Sequence, residues 1–386
     1  MISRRALLLT GGAAILVVGG AYTTSVLTRD APIVRQPWSD APAGFDDPRL
    51  NALAYAILAP NPHNRQPWWV RLEGDSDLTL YCDLNRLLPE TDPPNRQITI
   101  GFGAFLELFR MAAAEQGYRA EFALFPEGEP YPLLDERPVA RIRMVEDAEV
   151  TTDPLFAHAL TRRTARNVFT DASVAAETLD ELRTLAVMRE VSHFDFTVDD
   201  HRVDRLKELC RDSWFVEMMT PHVHHESTKL TRIGADEVRQ NPDGISLYGP
   251  MMEAYRALGV LDRSRMDDPQ SRGFQGTLQF YNRLIDSAQA FGWLNSTANT
   301  RIDQLHAGAD WVRLNLAATK LGLSMHPLSQ ALQEFPEMAE LYNALHQTVG
   351  VDAPNRVQGL FRFGYSAQPR PSPRWPMTSR LANLEV

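Results

Sequence analysis

Three arginines and a hydroxyl fall within five residues at Arg162-Arg163-Thr164-Ala165-Arg166. Guanidinium groups bond phosphate oxygens in bidentate pairs, so this run suits a dianion such as a phosphate monoester. A solvated basic helix end is the plainer meaning of the same residues. Arg370 and Arg374, in a proline-rich tail, stand ready to add to the same charge. A second stretch, Ala59-Pro60-Asn61-Pro62-His63-Asn64-Arg65-Gln66-Pro67-Trp68, sets two Asn and a Gln in a proline-stiffened loop. Such amides match the edge of a planar heterocycle carrying both C=O and N–H; alternatively they cap the backbone where a helix stops. His222, His224, His225 and Glu226 are close enough along the chain to hold a metal, although a His-rich helix end is the commoner reading.

Other familiar signals are incomplete. Gly101-Phe102-Gly103 opens a helix pattern as a dinucleotide turn would, but Leu106 takes the place of the third glycine. Gly244-Ile245-Ser246-Leu247-Tyr248-Gly249 is one residue too long for a nucleophile elbow. Lys207, Lys229 and Lys320 are the only lysines, which leaves few Schiff-base candidates. Cys82 and Cys210 cannot build a disulfide framework or a thiolate zinc cage.

The elements that must position these residues are mixed. The 386 residues allow two to three domains, and 44% hydrophobic with 23% charged residues is an ordinary globular composition. A net charge of −10 supplies no cationic field for nucleic acid. Residues 50–58 have helical spacing and stop at Pro60 and Pro62. Strand-like runs follow at 68–72 and 78–82, then a helix over 102–116 and strands at 120–125 and 139–144. A helix at 178–188 and a strand at 194–198 precede a mostly helical stretch, 201–345, and a last strand at 360–365. One repeat is visible: Gly103-Ala104 to Gly117 and Gly308-Ala309 to Gly322 enclose similar helices, which reads as two α+β halves fused. Residues 1–26 have the layout of an export signal, with Arg4-Arg5, an apolar run Ala6–Ala21 and small residues at Gly19-Gly20-Ala21. The expectation is twin-arginine export to a periplasmic or membrane-anchored, outward-facing location, with membrane contact only through this segment; residues 27–47 read as a linker.

Taken together, these segments resemble the nitroreductase family of FMN enzymes. APNPHNRQPW is similar to that family's Asn-x-Gln-Pro-Trp loop, and RRTARNVF to its Arg-x-Ser-x-Arg phosphate motif with Thr164 replacing serine. GADWVRLNLAATKLGL, with Met325 to Gln330 after it, resembles the family's Gly-Ala helix and the segment that passes the flavin ring. The leader and the order of pieces look most like the double-module, Acg-like branch. The resemblance implies a nitroreductase-like α+β fold of two modules, 48–160 and 161–386, forming an intrachain pseudo-dimer. Family members carry two FMN per dimer, each gripped from both subunits. This chain keeps one loop and one Arg motif, which implies a monomeric pseudo-dimer with one FMN and the other site lost.

By the same resemblance, Arg162, Arg163, Thr164, Arg166 and Arg374 bind the phosphate and ribityl chain. Pro60, Asn61, Pro62, Asn64 and Gln66 line the ring; Pro327, Leu328, Ser329 and Gln330 lie near its reactive nitrogen. Asn61 and Pro62 stand where the family usually has small hydroxyl residues, and Ser329-Gln330 where it often has Glu-Gly. The partners implied are a small-molecule electron donor and a nitroaromatic or quinone acceptor. No catalytic side chain and no metal are assigned. The alternative is a flavin-binding or sequestering protein with little turnover.

Overall fold

Prolines and acidic caps set the first boundaries. The Asp47 carboxylate accepts the Arg49 N–H at 2.8 Å, and Pro48 opens the helix behind it. The computed structural model describes residues 32–382; the leader read at residues 1–26 lies outside the described residues. Among the described residues no helix is long and apolar enough to cross a membrane.

The first module runs α1 (Gln36–Ala43), α2 (Pro48–Ala56), β1 (Trp68–Glu73), β2 (Asp77–Cys82), α3 (Arg96–Ala114), β3 (Tyr118–Leu124) and β4 (Ala140–Glu146). Its antiparallel sheet has the order β1-β2-β4-β3. The second begins with α4 (Ala176–Ala186) and β5 (Ser192–Thr197). A helical layer follows: α5 (Asp200–Met219), α6 (Pro221–Leu230), α7 (Ala235–Gln240), α8 (Pro250–Ala257) and α9 (Arg272–Asp286). Within that layer β6 (Thr231–Ile233) and β7 (Ile245–Leu247) form a small parallel pair. The module closes with β8 (Ala290–Ser296), α10 (Arg301–Lys320), β9 (Ser324–Pro327), α11 (Ala339–Val349) and β10 (Arg356–Gly364). Its sheet order, β5-β8-β10-β9, is that of the first sheet with each strand replaced by its counterpart. The fold is α+β with two fused modules, as expected.

The repeat is the seam between the modules. A Cβ placed on Gly103 would lie 1.9 Å from the Leu305 carbonyl oxygen, and one on Gly308 would lie 1.8 Å from that of Ile100. Gly103 corresponds to Gly308 and Ile100 to Leu305 at one sequence offset, so the contact is reciprocal. Such self-complementary packing is what a two-fold dimer interface shows, here within one chain. Only glycine lets the backbones of α3 and α10 approach so closely.

Two expectations need correction. Residues 27–47 are not simply a linker: 32–35 form a 3₁₀ turn and α1 follows, with Pro37 in its first turn. Trp38 of α1 is buried and its Nε1 donates to the Ser372 carbonyl at 2.9 Å. The stretch 201–345 is mostly helical as read, but β6, β7, β8 and β9, none of them read as strands, also cross it. Every β8 residue except Asn295 is buried, so the strand shows no polar–apolar alternation to read.

Candidate functional site

Loop 57–67 follows α2 and meets the arginine run and the C-terminal tail at one carbonyl. The Nη2 atoms of Arg162 and Arg374 both donate to the Leu58 oxygen at 3.0 Å. Arg162 also donates to Asn315 Oδ1 on α10 at 2.9 Å. Arg374 donates to the carbonyls of Ile57 and Ala59 at 3.1 Å and to the Asn64 side-chain oxygen. The Arg163 guanidinium lies 4.6 Å from the centre of the Trp38 ring.

None of Arg162, Arg163 and Arg374 has an ion-pair partner among the described residues, and no carboxylate is among the groups acting on them. Burial, with Arg163 beside it, pushes Arg162 down to about 9. Burial, with Arg162 and Arg163, does the same to Arg374. Arginine keeps its proton at neutral pH, so these shifts measure how little the protein compensates the charge. A buried, unpaired cation is costly; a bound anion removes that cost.

The cleft these groups face has a volume of about 430 Å³, inside the range of roughly 300–1,000 Å³ common for small-ligand sites. Twelve of the residues expected from sequence line it: Pro60, Asn61, Pro62, Asn64, Arg162, Arg163, Thr164, Arg166, Pro327, Ser329, Gln330 and Arg374. Gln66 and Leu328 do not. Leu328 packs in the core of the second module, and its N–H donates to the Leu360 carbonyl at 2.8 Å.

The loop amides also make bonds within the protein. Gln66 Oε1 accepts the Trp375 N–H at 2.9 Å while Nε2 donates to the Pro242 carbonyl at 2.7 Å. Asn61 Oδ1 accepts the Gln66 N–H at 2.8 Å. Asn64 Nδ2 donates to the Pro373 carbonyl at 3.0 Å. These bonds hold a strained loop: His63, Asn64 and Gln66 have φ of 47°, 51° and 50°. Non-glycine residues rarely adopt such values, and they collect at functional sites. The amides thus fix the shape of the cleft wall, which Asn61 and Asn64 line and Gln66 does not.

Unpartnered buried atoms define what the cleft lacks. His63 Nδ1, the Nε atoms of Arg162 and Arg163, Ser246 Oγ, Glu217 Oε2 and Gln333 Oε1 have no hydrogen-bond partner, and all belong to lining residues. Such groups are normally satisfied. Burial, then Arg166 and Arg65, pushes His63 down to about 4, so its ring is neutral. Trp311, Ile100 and Ala104 add apolar wall. The cleft thus suits a ligand with an anion at one end and a flat body carrying polar atoms.

Sequence reading missed Trp38, His63, Glu217, Tyr281 and His326 among the lining residues. His63 stood inside the quoted loop; nothing local marks Glu217 in its helix. The His cluster does not hold together as a metal site. His222 pairs with Glu90 at 2.7 Å, His225 with Asp267 at 2.6 Å, and His224 meets the Met266 carbonyl at 2.8 Å. Glu226 accepts the Thr91 N–H at 2.9 Å and hydroxyl at 2.6 Å. Among the described residues no group of three or more His, Cys, Asp or Glu is placed to hold a metal.

No protein-family model matches the chain. An uncharacterized protein of Mycobacterium tuberculosis is 26% identical over 342 residues, 86% of this chain and 92% of that protein. A second protein of that organism, named as a candidate NAD(P)H nitroreductase (acg), is 32% identical over 156 residues, 39% of this chain and 44% of its own length. A third, given the same activity in its name, is 25% identical over 328 residues, 81% and 84% of the two chains. Among solved structures, the FMN-dependent nitroreductase NfnB of Mycobacterium smegmatis in complex with NADPH aligns over 56% of this chain and 93% of its own. Its sequence identity is 18% and its TM-score 0.35, too low to bear on the fold.

Proposed function

We propose that the chain is an FMN-dependent oxidoreductase of the nitroreductase type that passes electrons to a small acceptor such as a nitroaromatic or quinone. The carrying observation is the pair of buried arginines Arg162 and Arg374 with half-buried Arg163 beside them, all lining the cleft and none acted on by a carboxylate. A phosphate monoester supplies the missing charge, and the orphaned Nε atoms of Arg162 and Arg163 supply donors for its oxygens. The nitroreductase names of two relatives support the same reading.

When bound, FMN supplies the hydride and electron transfer. Arg162, Arg163, Thr164 and Arg166 would hold its phosphate end, and Arg374, whose N–H groups are engaged by loop and tail oxygens, would add its charge. Pro60, Pro62 and Pro327 would shape the ring slot, and Trp38 braces Arg163 from behind. The rest of the reading is a single-chain pseudo-dimer of the Acg-like branch with modules 48–160 and 161–386, exported by the twin-arginine route. Replacing Arg4 and Arg5 by lysines is expected to leave precursor in the cytoplasm.

The test is an absorbance spectrum of the purified protein with identification of what heat releases. A flavin spectrum and released FMN are expected. A colourless protein that takes up no added FMN overturns the proposal.

A further inference from the structure

Glu217 sits on α5, in the helical layer that the first module lacks, and lines the cleft while only 5% exposed. Its Oε2 has no hydrogen-bond partner, nor has Oε1 of Gln333 in the same wall. Burial pushes its carboxyl up to about 7; the Gln330 and Gln333 amides oppose the rise and the Glu226 carboxylate adds to it. The titratable and charged groups facing it are Glu226 from α6 and Tyr281 from α9, whose hydroxyl burial also pushes up. The 3₁₀ turn after β9 contributes only neutral amides, with Gln330 Nε2 donating to the Tyr281 hydroxyl at 3.1 Å. No cation acts on Glu217, and no carboxylate acts on Arg162 or Arg374. Arg162 and Arg374 thus do not act on the acid, while Arg166 acts on Tyr281, the hydroxyl on which Glu217 also acts. With burial opposed by no cation, the carboxyl keeps its proton below about pH 7 and is there a hydrogen-bond donor.

Resting on the flavin reading above, we propose that Glu217 recognises the electron acceptor, donating a hydrogen bond to a quinone or nitro oxygen and surrendering that proton as the acceptor is reduced. For a quinone, two electrons and one proton arrive as a hydride equivalent from reduced flavin. Glu217 gives the second proton to the other oxygen: the carboxyl O–H bond breaks, the hydroquinone O–H forms, and water reprotonates the carboxylate. A neutral carboxyl selects acceptors with a compact, electron-rich oxygen over hydrocarbons of the same shape.

The flavin content of the protein is measured first; its absence overturns the flavin reading and with it the electron source. Binding is tested separately by titrating oxidised protein with 1,4-naphthoquinone at pH 6 and pH 8.5, followed by quenching of tryptophan fluorescence. No turnover is involved, and the titration reports on Glu217 whether or not flavin is present. The wild type is expected to bind at least fivefold more weakly at pH 8.5, where the carboxyl has ionised. Glu217→Gln keeps a donor at both pH values and is expected to bind equally at both. Equal affinity of the wild type at the two pH values overturns the proposal, as does a pH dependence that survives in Glu217→Gln. If Glu217→Gln does not fold, the wild-type pair of titrations decides alone.

Discussion

On one flank of the α3–α10 pair, buried Arg162 and Arg374 face an open cleft with no carboxylate acting on them; on the other, arginines are clamped by acids. Arg189 lies in the short connection 187–191 between α4 and β5, the counterpart of loop 57–67 between α2 and β1. It pairs with Asp310 at 2.7 Å and Glu107 at 2.9 Å. Glu107 also takes Arg110 at 2.7 Å and Arg313 at 2.9 Å. Burial alone would raise the Glu107 carboxyl, but Arg110, Arg189 and Arg313 hold it down to about 2. Asn315, which receives Arg162 on the open flank, corresponds in the repeat to Arg110. Both flanks bury cations. Where the protein provides the counter-charge the arginines are already paired, and where it omits it a bound anion can supply one.

The seam beneath both flanks is the most sensitive point. Gly308→Leu drives a side chain into the Ile100 carbonyl. It is expected to destabilise by about 3 kcal/mol or more, or to prevent folding. Thermal unfolding of the soluble fraction checks this, and a variant of unchanged Tm would break the two-fold reading.

The closed flank comes next. Glu107→Gln leaves Arg110, Arg189 and Arg313 with only Asp153 and Asp310 as counter-charges and is expected to cost about 1.5–3 kcal/mol of stability, the range for a hydrogen bond to a charged group, with flavin affinity unchanged. The depressed carboxyl stabilises the fold above its unfolded pKa, and that contribution is lost as pH falls from the ordinary carboxylate range toward about 2. Acid unfolding curves of wild type and Glu107→Gln should therefore converge at low pH. Curves that stay parallel would remove Glu107 from the acid response.

The open flank should behave the opposite way. Arg162→Ala is expected to weaken FMN binding by about 1.5–3 kcal/mol. It should cost the flavin-free protein far less stability than Glu107→Gln does, because the lost charge was uncompensated. Flavin titration and denaturant melts on the two variants give this contrast; equal stability losses would abolish it. The smallest effect belongs to the surface: the double variant of His222→Ala and His225→Ala is expected to change stability by about 0.5 kcal/mol or less. Metal analysis of the wild type should find no stoichiometric ion, and finding one would reopen that cluster.

Much of the site could be read from the chain because its charge is local. Arg162, Arg163 and Arg166 are neighbours, and a dense run of guanidiniums needs no fold to be recognised. The amides were visible but their use was not: Gln66 is claimed by Trp375 and Pro242, both far away in sequence. Trp38 was lost in a stretch that looked like linker, and β8 in one that looked helical, because burial on all sides erases the periodicity that marks an element.

The amino-acid order alone determined where a helix must stop, at Pro60 and Pro62, where positive charge is concentrated, and that Gly103 and Gly308 hold matching places in two similar helices. Those are properties of near neighbours, set by backbone sterics and local charge density. Tertiary structure alone decided which flank of the helix pair stays open. Whether a cation meets a carboxylate depends on Glu107 and Asp310 reaching half-buried Arg189, and on nothing acidic reaching buried Arg162. That is a matter of distance in space.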